Sequence, residues 1–195
     1  MRPSVSLRLF VPLVLAAISL GGQSAYAADT YELDAVHSTF AFKVKHLGVS
    51  YTSGRFNESS GAFTIDAEDA SKCSAAIEVK TSSVDTGNAT RDKHLRGADF
   101  FDVAKFPAMT FTSTACKKKD DTTYEVTGDL TIRGVTKSVT VEAELVGIGK
   151  GLKGEERAGF ETALTIDRND FGMTYMPYAI GAEVKLQIAV EGVKK

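Results

Sequence analysis

Few side chains in this sequence are equipped for chemistry, and their spacing decides which chemistry is open to them. The three histidines, His37, His46 and His94, stand apart from one another. With neighbouring acids they would suggest a metal site or an acid–base pair, but such sites use HExxH or a histidine pair at ligand spacing, and neither occurs. Ser38 follows His37 directly, so on a strand the two would point to opposite faces and could not act as nucleophile and base. There is no GxSxG. Asp170-Phe171-Gly172 spells DFG, yet the Gly-rich and catalytic-loop signatures that give it meaning in kinases are missing. Cys73 and Cys116, without a CxxC, do not make a metal centre. These motifs predict no catalytic residue, no metal and no cofactor.

Chemistry of another kind gathers between Arg91 and Pro107, in RDKHLRGADFFDVAKFP. This stretch holds four basic side chains, one histidine, three phenylalanines and three aspartates, with no strand alternation. Thr90 is expected to cap one or two helical turns and Gly97 to stop them. Phenylalanines reaching inward, with Arg91, Lys93 and Arg96 near water, would suit an amphiphile with a long apolar tail and a polar or anionic head. The blander alternative has Arg91 and Asp92 form local ion pairs that tie the insert down, with Phe100, Phe101 and Phe106 as ordinary core.

The elements around this insert read as strands, because period-two alternation recurs along the chain. TYELDAV places Tyr31 and Leu33 on one side. STFAFKVKHL places Phe40, Phe42, Val44 and His46 on one side and Lys43 and Lys45 on the other. Phe63 and Ile65, Ala75, Ile77 and Val79, and Met109, Phe111 and Ser113 continue the pattern. Further runs carry Val126, Leu130, Val139, Val141, Leu145, Phe160, Leu164, Val184, Leu186 and Ile188. About eight or nine strands, each apolar on one face, must bury those faces without a long amphipathic helix. A sandwich or a closed barrel does so. IRGVTK, with Gly134, and KKKDDTT read as hairpin turns. With aromatics crowded inward, the expected fold is all-β: an antiparallel barrel of about eight strands with a short helical insert near residues 90–103, wide enough for one small ligand.

The first residues follow different rules. Arg2 and Arg8 precede LFVPLVLAAISL, roughly 12 apolar residues against the ~20 that span a bilayer, and Ala25-Tyr26-Ala27 supplies a small-x-small cleavage pattern. Residues 1–27 are therefore expected to be a cleaved signal peptide and 28–195 a single exported domain. Without Arg2 and Arg8 the 23 Lys+Arg become 21 against 25 Asp+Glu, a net charge of about −4. That balance argues against a nucleic-acid partner. In an oxidising compartment Cys73, at the start of one apparent strand, and Cys116, at the end of another, read either as a disulfide at one rim or as two half-buried thiols.

The order DAVHSTFAFKVKHLGVSYTSGRF, SSVDTGNATRDKHLRGADFFDVAKFPAMTFTST, YEVTGDLTIRGVTKSVTVEAEL, RNDFGM and a closing VEG resembles the YceI-like family of periplasmic proteins. The resemblance spans almost the whole chain after residue 28. It implies a lipocalin-like barrel whose interior binds a polyisoprenoid lipid, such as an isoprenoid quinone or a polyprenyl pyrophosphate, often as a homodimer. Transport, storage or stress protection of that lipid, with transient contact to a membrane or membrane protein, is the function it implies. The expected cavity residues are Phe40, Phe42, Val44, Phe63, Phe100, Phe101, Met109, Phe111 and, from the DFG-containing segment, Phe171. The expected mouth residues are His46, Arg91, His94 and Arg168. His46 is also open to being a core histidine bonded to backbone. A ligand-free interaction module and, further off, an enzyme acting on an isoprenoid are the rival classes.

Overall fold

Strands that are apolar on one face, with no helix long enough to cover them, hide that face by closing on themselves. The computed structural model describes residues 28–66 and 68–195; the expected signal peptide, residues 1–27, lies outside the described residues. Its strands are β1 (Asp29–Leu33), β2 (Thr39–His46), β3 (Ser50–Phe56), β4 (Ser59–Ile65), β5 (Ser74–Lys80) and β6 (Val84–Asp85). After the helix α1 (Ala89–Leu95) come β7 (Ala108–Lys118), β8 (Thr123–Ile132), β9 (Val135–Lys150), β10 (Glu156–Asp167) and β11 (Ile180–Lys194).

All pairings are antiparallel. The order β1-β4-β5-β7-β8-β9-β10-β11 returns to β1 through Tyr31↔Lys194 and Leu33↔Gly192, which closes an eight-strand barrel. The edge of β11 is shared. Its C-terminal end pairs with β1, while its first two-thirds pair with β2 in the register Val184↔Val44 and Ile188↔Phe40. Strands β3 and β6 continue the wall from β2.

Turn chemistry sets the hairpins. Arg133 and Gly134 join β8 to β9 with φ of 52° and 73°, and Leu47 and Gly48 join β2 to β3 with φ of 50° and 75°. Positive φ at both central residues is the type I′ geometry that matches strand twist.

The insert departs in detail from expectation. Asn88, not Thr90, caps α1, its Oδ1 accepting from the Arg91 N–H at 3.0 Å. Asparagine is the stronger cap, which leaves Thr90 in the first turn. Arg96 then donates to the carbonyls of Ser82 (2.7 Å) and Val84 (2.8 Å), and Arg133 to those of Phe100 (2.7 Å) and Ala98 (2.9 Å). Buried Asp92 accepts from the N–H and hydroxyl of Thr86. Side chains thus tie the helix to the barrel.

Two packed clusters mark the ends of the lumen. Tyr31, Phe63, Ile65 and Ala158 form one, and Ile132, Ile166, Phe171 and Met173 the other.

Candidate functional site

Between those clusters the inward side chains of β2, β5, β7, β8, β10 and β11 meet open space. Phe42, Ile77, Phe111, Leu130, Leu164 and Leu186 are only half-buried, because they line a cavity of about 750 Å³. This is within the range of small-molecule sites, whose walls are mostly apolar with a few polar groups. Of the nine expected wall residues, Phe40, Phe42, Val44, Phe63, Phe100, Phe101, Met109 and Phe111 line it. Phe171 does not. It is 2% exposed and packs with Ile132, Ile166 and Met173, because it sits in a 3-10 turn after β10, where strand parity gives no guide to direction.

Several wall residues were missed. Phe56 lines the lumen, with its ring 5.7 Å from Phe42 and 5.4 Å from Phe101. Its parity opposite Arg55 was the available signal. Tyr175, 5.2 Å from the His94 ring and 5.5 Å from Phe100, lies in a loop without any periodicity.

Glycines keep the lumen open. A Cβ at Gly54 would fall 2.5 Å from Phe42 Cζ, and one at Gly128 would fall 2.5 Å from Phe111 Cζ. Both rings therefore lie flat across a bare stretch of the neighbouring strand. With any side chain beneath them they would swing into the barrel.

At one end the lumen is floored by aromatics. Tyr31 stacks on Phe63 at 5.4 Å, and Phe160 meets Phe63 and Tyr124 edge-on at 5.6 and 5.7 Å. The Tyr31 hydroxyl donates to Glu156 at 3.0 Å; burial and then this carboxylate push its pKa up to about 12. Cys73 and Cys116 line the same end as free thiols, and burial, then the proximity of Cys73, pushes Cys116 up to about 12.

At the insert end the lining reaches water. His46, Asn88, Thr90, Arg91 and His94 both line the cavity and are exposed. Arg91 spends Nε and Nη2 on the hydroxyl and carbonyl of Thr86 (2.7 and 2.9 Å), and it makes no pair with Asp92. His94 shares a hydrogen bond with Asp99 at 3.0 Å. Arg168 stands apart from this group. It borders the cavity but is 3% exposed, and its guanidinium donates to the carbonyls of Gly181 (3.0 Å), Ile180 (2.9 Å) and Met173. Its donors are committed to the backbone between Met173 and Gly181, so the expected place at the mouth is corrected to a buried staple behind it.

Residues 31–192 match the YceI-like domain. The chain belongs to the YceI-like family. A UPF0312 protein of Pectobacterium carotovorum is 44% identical over 186 residues, 94% of this chain and 96% of that one. Among solved structures, Burkholderia cenocepacia BcnA superposes with a TM-score of 0.75 at 26% identity, covering 82% of this chain and 99% of its own. A polyisoprenoid binding domain from Saccharophagus degradans, implicated in plant cell wall breakdown, shares the fold with a TM-score of 0.67 at 18% identity, covering 85% and 98%.

One polar cluster of this YceI-like chain lies away from the lumen. Asp34, His37 and Glu191 bring ligand atoms within 4.8 Å of one another. Arg157 is bonded to Asp34 at 2.8 Å and Glu191 at 2.5 Å, with Glu155 at 2.9 Å, so the carboxylates already have a cation between them. The cluster anchors the β1–β2 connection to β10 and β11. His37 and then Arg157 hold the Asp34 carboxyl well below the usual carboxylate range.

Proposed function

We propose that this chain is an exported binding protein that holds one isoprenoid lipid, a quinone or a polyprenyl pyrophosphate, in its barrel and performs no chemistry on it. The observation that carries this reading is the cavity itself: about 750 Å³, walled by phenylalanines and aliphatic side chains, floored by aromatics, with exposed cationic side chains at the open end. An apolar tail gains roughly 25 cal/mol for each Å² withdrawn from water, less the costs of association and ordering. Branched tails offer much such area. Arg91, His46 and His94 would then meet the head group, where charge-assisted hydrogen bonds favour anionic oxygen. Membership of the YceI-like family and the polyisoprenoid-binding designation of the Saccharophagus neighbour support the same reading.

The periplasm is the proposed compartment, after removal of residues 1–27. Transport, storage or stress protection are the proposed roles, with a homodimer as the proposed assembly. Native mass spectrometry of protein purified from its own compartment, followed by solvent extraction, tests the reading. A stoichiometric isoprenoid is expected. A folded protein that stays empty after incubation with quinones and polyprenyl phosphates would favour a ligand-free interaction module instead.

A further inference from the structure

The tip of the β2–β3 hairpin is built against the preferences of its own turn. Leu47 takes left-handed backbone (φ 50°), where type I′ turns use Asn, Asp or Gly, and its side chain is 58% exposed. A leucine in that conformation is strained, and in water it recovers nothing by burial. Val49, just past Gly48, is 84% exposed. Tyr178, in the segment whose Ala179 carbonyl accepts from the Leu47 N–H at 2.8 Å, is 82% exposed. Three large apolar side chains therefore project together beside the open end of the cavity.

Behind this tip the outer wall is basic. Lys43 and Lys185 are direct cross-strand partners, a like-charge juxtaposition that destabilises a sheet. Both ammonium groups lie over the Tyr51 ring, 5.6 and 5.9 Å from its centroid, and Lys45 is paired with Tyr51. Among the described residues no carboxylate comes within 4.0 Å of these three lysines, and Glu183 on the same face of β11 reaches none of them. On a chain with an acidic balance, an unneutralised lysine patch is complementary to a dense anionic surface.

We propose that this rim docks on a lipid bilayer bearing anionic head groups. Leu47, Val49 and Tyr178 enter the boundary between head groups and acyl chains, and Lys43, Lys45 and Lys185 meet the phosphates. The dimensions agree. At ~3.3 Å per residue, Tyr51 and Lys45 stand about 7 Å behind the tip, the depth to which interfacial apolar faces sink. Tyrosine suits that level because its ring is apolar and its hydroxyl is wet. The proposal rests on the reading of the barrel as a lipid carrier, since a mouth seated on a bilayer lets a tail pass between two apolar media without crossing water.

Flotation with vesicles tests it, using phosphatidylcholine alone or mixed with phosphatidylglycerol. The full mature protein is expected to bind the anionic vesicles preferentially and to release them at high salt. Each lysine at such a surface contributes about fivefold in affinity, so Lys43→Gln with Lys185→Gln should lose roughly 30-fold. Leu47→Asn should raise thermal stability, because asparagine fits the turn, while weakening vesicle binding several-fold. A merely structural role for Leu47 would not separate those two readouts. Equal binding to both vesicle types, or unchanged binding by the lysine variant and by Leu47→Asn, overturns the proposal. Loading of an isoprenoid quinone from detergent micelles, read by native mass spectrometry, separates this from the carrier reading. Variants that load from micelles but not from vesicles support docking, whereas a wild type that docks yet loads from neither source refutes the carrier reading alone.

Discussion

Arg168→Met separates a staple from a head-group contact. The guanidinium has three donor nitrogens on three backbone carbonyls, those of Met173, Ile180 and Gly181, and is almost wholly removed from water. Hydrogen bonds from a charged donor contribute roughly 1.5–3 kcal/mol each, and an orphaned buried carbonyl costs about as much. Burial also lowers the arginine pKa, a desolvation cost that methionine would not bear. Offsetting that relief against three lost bonds leaves a net destabilisation of about 4 kcal/mol, at the upper end of single-substitution effects. In a domain of this size each kcal/mol moves the melting temperature by about 2–4 °C, so a drop of roughly 10 °C is expected in a circular-dichroism melt. Ligand retention should fall equally for anionic and neutral head groups, because the loss comes from a loosened barrel end. An unchanged melting temperature with selective loss of anionic ligands would refute the staple and return Arg168 to the mouth. Arg91→Ala is the contrasting variant: a smaller loss of stability, since its two bonds to Thr86 are exposed to water, and weaker retention of anionic heads than of neutral ones.

Gly54→Ala should push the Phe42 ring into the lumen, since the new Cβ would lie 2.5 Å from its Cζ and 2.7 Å from Thr86 Cγ2. A cost of about 1–3 kcal/mol and a smaller lipid load are expected, with Phe42→Ala restoring the load; a full load in the single variant would refute the argument. Asp34 has a folded pKa below its unfolded value, so its contribution is complete above about pH 4 and fades as pH falls through the folded pKa. Asp34→Asn should accordingly destabilise at neutral pH, and the gap to wild type should close on acidification; a gap independent of pH would dismiss the charge as its cause. Cys73 and Cys116 are proposed to join under oxidising conditions, which intact mass would register as the loss of two hydrogens; fully reduced protein from its own compartment would sink the pairing. In the reduced form the protonated Cys116 thiol should alkylate slowly at neutral pH until the protein unfolds.

What could be read in advance followed the physics of the repeat. Alternation faithfully sorted Phe40, Phe42 and Val44 from Lys43, because strand geometry enforces it residue by residue. The Gly134 turn was legible for the same local reason. Outside the strands the signal stopped. Phe171 turned into the core from a 3-10 turn, and Tyr175 reached the cavity from a loop. Arg168 was misjudged because its partners are backbone carbonyls, which no side-chain pattern announces. Arg157 bonds to Asp34, 123 residues away in the chain, and that distance closes only when β11 meets β1. The exposed tip at Leu47 went unremarked because an outward leucine and an inward one look alike until the turn fixes its direction.

The two ends of the barrel are fastened differently. Around the floor the ladder is continuous from strand to strand, through β5, β4, β1 and β11. Above it, β6 pairs with β3 over two residues, and α1 packs against β6, tied by the side chains of Asp92 and Arg96, while Arg133 holds the segment that follows the helix. Side-chain contacts can be released one at a time, whereas a ladder resists as a unit. The molecule is in effect a sleeve with a woven base and a laced collar: on the proposed carrier reading, unlacing α1 would open the collar to a tail while every backbone pairing of the eight strands stays made.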